Sequence, residues 1–239
     1  MKNSSIGSLI VLLGILLATL LSSCTASMKK ATSDDLEKDF EIEDFNQINF
    51  EGAYNIELTQ GDGPALMIKT TDELMDKIQV SVSDSTLNIK TNVKNISSDE
   101  IRIFINFNRL NEIVLRGGAF LKTNGFVELT NFDIKIEGGA SVEMNVNAEK
   151  ISARAEGAVN LEFHGVVEEF SAISEGAGNI DADELQAKIV DCRVSGVGNA
   201  SVYATEKLTA RVEGLGKIGY RGDPVLDKKV DGIGLIYKK

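Results

Sequence analysis

Carboxylates recur along this chain at a near-constant interval. Glu137, Glu156, Glu175, Glu213 and Asp231 each stand immediately before a glycine. Carboxylates stacked at regular spacing are hard oxygen ligands and could hold Ca2+. A pair of them could instead work as acid and base on a glycosidic bond. Their neighbours favour neither chemistry. Lys135, Arg154, Arg193, Arg211 and Lys229 occupy the position two residues before this column. Residues i and i+2 of a strand share one face, so the bases lie beside the acids. Like charges stacked at strand spacing would otherwise repel. The pattern reads as a solvated face laced with salt bridges, with no metal and no cofactor. The acids keep an even register, and sites usually break such a register. The Asp ladder of calcium-binding nonapeptide repeats is also missing.

The remaining reactive side chains are few. His164 is the only histidine, at the end of Leu161-Glu162-Phe163-His164-Gly165. With no second histidine and no paired thiol, a His-based metal site or a catalytic triad has no partners, and His164 reads as a turn residue. Cys192 alternates with polar neighbours in Val190-Asp191-Cys192-Arg193-Val194, as a small buried hydrophobe would. No Walker-type phosphate loop and no dinucleotide fingerprint is found. Gly176-Ala177-Gly178 is a repeat turn rather than half of one.

Cys24 has a different setting. Lys2 gives a short positive start, and Ile6 to Leu21 form a mostly apolar run. That run is shorter than the roughly 20 residues a bilayer-spanning helix needs. It ends in Leu21-Ser22-Ser23-Cys24, which resembles a bacterial lipobox. In such signals the peptide is cut before the cysteine and the thiol is acylated. Residues 1–23 are therefore expected to be a lipoprotein signal peptide, and Cys24 the lipid attachment site. The rival is an ordinary signal or anchor helix that happens to carry a cysteine. Removal of Lys2 leaves 24 basic against 36 acidic residues, a balance of −12. That charge argues against nucleic acid and against electrostatic docking to anionic membranes. Membrane attachment would rest on the acyl chains. Cys192 is then the only remaining thiol, so no intramolecular disulfide can form.

Residues 24–39 read as a flexible tether rich in Ser, Thr, Lys and Asp. The head domain is expected over residues 40–239, and its organising signal is a repeat. The leading glycines are Gly52, Gly117, Gly138, Gly157, Gly176, Gly196, Gly214 and Gly232. From Gly117 onward they are separated by 21, 19, 19, 20, 18 and 18 residues. Period-2 alternation flanks each glycine, as in Ile134-Lys135-Ile136-Glu137 and Val142-Glu143-Met144. So short a unit cannot bury its own apolar face, and neighbours must stack. Four residues after the glycines stand Ile56, Leu121, Val142, Leu161, Ile180, Ala200, Ile218 and Ile236, an inward column. Asn55, Asn160, Asn179 and Asn199, one residue earlier, form a candidate amide ladder. The expected fold is all-β: a parallel β-helix, with irregular N-terminal coils over 40–116 and regular repeats over 117–239. The interval from Gly52 to Gly117 leaves room for about three coils with insertions.

The block Ile48-Asn49-Phe50-Glu51-Gly52-Ala53-Tyr54-Asn55-Ile56-Glu57-Leu58, the later Leu87-Asn88-Ile89, the Gly-x-Gly-Asn turns and the ending Gly232-Ile233-Gly234 carry a resemblance. Together they resemble the putative auto-transporter adhesin, head GIN domain family, common in Bacteroidetes behind lipoprotein signals. The resemblance covers roughly Phe40 to Tyr237. It implies a right-handed, pectin-lyase-like parallel β-helix with no conserved catalytic set, and an adhesin-like role. The turn that names the family occurs here only in variants such as Gly-Ala-Gly-Asn.

The expected function is thus that of a non-catalytic cell-envelope lipoprotein, at the outer membrane, binding a protein or glycan. A carbohydrate-active enzyme of polysaccharide-lyase type on the same fold is the first rival. A dense acidic and basic cluster at one level of the stack would favour it. An envelope scaffold or assembly factor is the second. Strand edges at either end of the stack need caps, for which the N-terminal part and Val225 to Lys239 are candidates, or a second subunit, so a homo-oligomer stays open.

Overall fold

The protein is described here from a computed structural model over residues 35–239, except residue 94. Cys24, the expected signal peptide and most of the expected tether lie outside the described residues. The elements are β1 (Asp35–Phe40), β2 (Gln47–Gln60), β3 (Ala65–Thr71), α1 (Asp72–Met75), β4 (Ile78–Ser83), β5 (Thr86–Thr91), β6 (Arg102–Phe107), β7 (Glu112–Arg221) and β8 (Val225–Lys238). They make an all-β fold, a curled open sheet around one continuous apolar core. Asp35–Lys239 forms a compact unit of its own.

The long segment β7 is extended chain that returns against itself. Its first stretch pairs in parallel with β2, with Gly52 opposite Gly117 and Ile56 opposite Leu121. Its last stretch pairs in parallel with β8, with Gly214 opposite Gly232 and Ile218 opposite Ile236. Between these ends the leading glycines lie one on the next. All eight have positive φ, from 115° at Gly117 to 157° at Gly176. A Cβ added at Gly214 would stand 2.5 Å from the carbonyl oxygen of Gly196, and the same collision recurs at every level from Gly117 to Gly232. Glycine is needed here for two reasons at once: a backbone conformation that L side chains avoid, and no room for a side chain.

The inward column holds. Leu161, Ile180 and Ile218 are each 0% exposed, and the whole column from Ile56 to Ile236 is buried. The core changes character along the stack. Phe50, Tyr54, Phe107, Phe132, Phe163 and Phe170 fill its first part; beyond Ala172 the buried hydrophobic residues are Ala, Val, Leu, Ile and Cys192. The repeats shorten over the same interval, so a smaller cross-section is filled at close packing.

The N-terminal region departs from the expectation of about three coils. Only one further parallel level lies beyond β2, and it is made by two strands: β5 alongside Gln47–Glu51 and β6 alongside Asn55–Gln60. After it the chain turns antiparallel, with β4 on β5, β3 on β6 and β1 on β3. The physical reason is in the connections. Short turns such as Ser83-Asp84-Ser85-Thr86 join antiparallel neighbours and leave no chain for a parallel return. β1 also begins inside the stretch read as tether: Asp35 to Phe40 pairs with Leu66–Thr71, and Glu37 meets Lys69 at 2.7 Å. At the other end, Val225–Lys238 does not cap. It continues the parallel register as one more pass.

Cys192 is fully buried, and burial pushes its thiol from 9.0 up to about 12. The folded state thus holds this proton more tightly than the unfolded chain. The stability it contributes is full below about pH 9 and is lost as pH rises towards 12. Alkaline chemical denaturation should show this decline, and Cys192→Ala should flatten it. Gly157→Ala should destabilise the fold by at least about 2 kcal/mol, through positive φ and steric overlap. Gly139→Ala, where an added Cβ would sit 3.8 Å from its nearest contact, should stay within about 0.5 kcal/mol. Thermal melts of the two variants would separate them.

Candidate functional site

The acidic and basic columns come together as pairs between adjacent passes. Arg116 reaches Glu137 at 3.3 Å, Arg154 reaches Glu175 at 3.4 Å and Arg193 reaches Glu213 at 4.0 Å. Arg211 pairs with Asp227 of the next pass at 2.6 Å, whereas Lys229 pairs with Asp231 of its own strand at 2.6 Å. Lys135 turns to Glu112, at 2.6 Å, rather than to the column. Ser195, where the acidic column is interrupted, donates its hydroxyl to Glu213 at 3.1 Å. No group of three or more His, Cys, Asp or Glu side chains converges as a metal site among the described residues. Glu156 has no basic partner within 4 Å among them either. The face is a charge ladder, and exposed pairs of this kind add little stability each.

The asparagine column is realised in part. Asn179 donates to Asn160 at 3.3 Å. Asn55 does not join, because its register partners are Phe120 and Arg102. A second amide contact arises where no column was read: Asn49 donates to Asn88 at 3.1 Å, and Arg116 donates to Asn49 at 2.6 Å. His164 sits in extended chain rather than in a turn. Its ring nitrogens lie 3.2 Å from Glu184 and 3.0 Å from Glu162, so it bridges two carboxylates.

Two concave surfaces were not foreseen. The first is a groove of about 480 Å3 at the N-terminal half, lined by Asn55, Glu57, Arg102, Phe104, Phe120 and Glu143, with Lys122 and Ser141 at its side. Phe120 is 54% exposed, although it occupies the position that holds asparagine in other passes. Lys122 pairs with Glu57 at 2.9 Å. Acids and bases here are spread over four neighbouring passes: β6, β2 and the first two of β7. The second surface is a shallow apolar groove lined by Val197, Leu215, Ile233 and Leu235 over a floor of Gly198, Gly216 and Gly234. The residue after each leading glycine carries the only sequence trace of it. That residue is Ala or Gly up to Ala177, then Val197, Leu215 and Ile233.

A sequence model of the family described as "Putative auto-transporter adhesin, head GIN domain" matches residues 44–224. No curated protein matches the chain. Among solved structures, a putative adhesin from Bacteroides fragilis is 28% identical, with a TM-score of 0.80 over 87% of this chain and 98% of that one. A putative lipid binding protein from Parabacteroides distasonis is 23% identical, with a TM-score of 0.68 over 87% and 98%. A putative adhesin from Parabacteroides merdae, also 23% identical, has a TM-score of 0.62 over 87% and 97%. The last two share the fold. With three-quarters of its length matched by the family model, the chain belongs to the putative auto-transporter adhesin, head GIN domain family.

Proposed function

We propose that this chain is a non-catalytic lipoprotein of the bacterial cell envelope, anchored through Cys24 in the outer membrane, whose head binds a protein or glycan. In this reading the curled sheet is a right-handed parallel β-helix. The parallel registers at both ends of β7 and the glycine stack support that geometry. Family membership and the Bacteroides neighbour support the adhesin-like half.

The groove beside Phe120 carries the binding part. An exposed aromatic face next to amide, carboxylate and guanidinium groups offers stacking for an apolar ring face and hydrogen bonds for its substituents. The pairing of Glu57 with Lys122 and the spread of charge over four passes favour binding over catalysis. A catalytic carboxylate pair needs two acids set across one bond.

Binding of the chain to immobilised panels of oligosaccharides and extracellular-matrix proteins tests this reading. At least one class should bind, and Phe120→Ala should weaken it by about tenfold, a cost of about 1.4 kcal/mol. Phe126→Ala, an exposed aromatic outside the groove, should leave binding unchanged. Release of new sugar ends from the panel would replace the reading with a carbohydrate-active enzyme. For the anchor, Cys24→Ala should abolish incorporation of labelled fatty acid and release the chain from the membrane fraction. Protease treatment of intact cells should remove the head if it faces outward.

A further inference from the structure

The two ends of the sheet differ in strand direction and in charge. The first end turns antiparallel, and the outer edges of β1 and β4 have no partner among the described residues. Antiparallel β4, β3 and β1 cover it, and α1 brings Met75 into the core at 5% exposure. Residues 35–44 and 65–84, which make this cap, hold ten acids against three bases. Asp35, Glu37 and Glu73 have basic partners. Asp39, Glu41, Glu43, Asp44, Asp72, Asp76 and Asp84 have none within 4 Å among the described residues.

The second end is open. β8 pairs only with β7, so its outer row of backbone donors and acceptors has no partner among the described residues. Val230, which continues the buried column of Val194 and Val212, is 40% exposed, with no described strand beyond β8 to cover it. Val225 and Ile233 are 76% and 79% exposed. Residues 221–239 hold five bases against three acids in a chain whose net charge is −11. All three acids are already paired: Asp223 with Lys238, Asp227 with Arg211 and Asp231 with Lys229. Lys228 stands opposite Ala210, on the inward column, and has no acidic partner within 4 Å among the described residues.

Open strand edges pair with other chains unless something prevents it, and lysine on an edge is a common means of prevention. Lys228 blocks a like-charged edge, so it disfavours β8 against β8. It does not block an acidic one. We propose that copies of this chain associate end to end, the basic open edge at β8 of one copy seated on the acidic cap of the next. This contact is heterologous, because two different surfaces meet, and it propagates rather than closing at two. Its driving forces are burial of Val225, Val230 and Ile233, strand pairing along β8, and charge attraction that salt screens.

Sedimentation velocity of the chain from Thr25 onward, which contains the whole compact unit Asp35–Lys239, tests this. Mass should rise with concentration through dimers into longer species. Association should weaken by about tenfold or more between about 20 mM and about 500 mM salt. Val225→Glu with Lys228→Glu should abolish it, and so should Glu41→Lys with Glu43→Lys. Each variant should keep the parent melting temperature within a few degrees. Mixing the two double variants should restore association, since the intact β8 edge of one meets the intact cap of the other. A monomer at all concentrations in low salt overturns the proposal. So does a wild-type dimer that never grows and ignores the cap reversal, since that would be β8 against β8.

Discussion

At its glycine corners this molecule is fitted backbone to backbone. At each level a glycine Cα lies against the carbonyl oxygen of the glycine one pass earlier, with no space for a methyl group between them. This contact fixes the axial register of each pass against its neighbour. Register in turn decides which residues face inward, because a slip of one residue would send the apolar column to solvent. A change at one glycine therefore acts on two passes at once, the one it belongs to and the one it touches. The small core residues of the later passes tolerate little displacement, since alanines such as Ala182, Ala187 and Ala204 have no side-chain length with which to refill a gap.

Register also explains how the surface is divided. Stacking at strand spacing of about 4.8 Å brings identical positions of successive repeats into direct contact. A column of identical charges would be self-repelling. The chain answers by placing Arg116 within the column and other bases two residues away, and by letting Arg116, Arg154 and Arg193 reach forward to the acid of the next pass. Most of the charge on that face is thereby engaged within the fold. What remains for a partner lies off the ladder, at the corner after the glycines. There Phe120 and the Val197, Leu215 and Ile233 series stand exposed.

Most of this was legible because a repeat reports its own geometry. The glycine spacing and the inward column from Ile56 to Ile236 needed no structure. The groove at Phe120 was hidden for the same reason: one aromatic in an asparagine column looks like a lapse in the pattern. It gains meaning only when β6, arriving from a segment outside the repeat, sets Phe104 and Arg102 beside it. Likewise Asn55 has the right position for the amide ladder but the wrong neighbour, Phe120 instead of asparagine. The antiparallel cap was illegible from spacing, since Leu66 to Thr70 and Ile78 to Val82 alternate as any strand would. Period-2 alternation gives a face, never a direction.

Parallel stacking cannot end itself. Each pass leaves an edge and an open core section like the ones it covered, so growth stops only where the chain breaks its own rule. At the N-terminal end the rule is broken three times, by reversal of strand direction in β3, β4 and β1. At β8 the described chain breaks it only once, by putting Lys228 where Ala210 stands one pass earlier. A lysine stem covers some of the exposed core while its ammonium stays in water. The device is selective by sign: it repels another basic edge and attracts an acidic one. The unpaired edge at β8 is thus opposite in charge to the antiparallel end of the sheet.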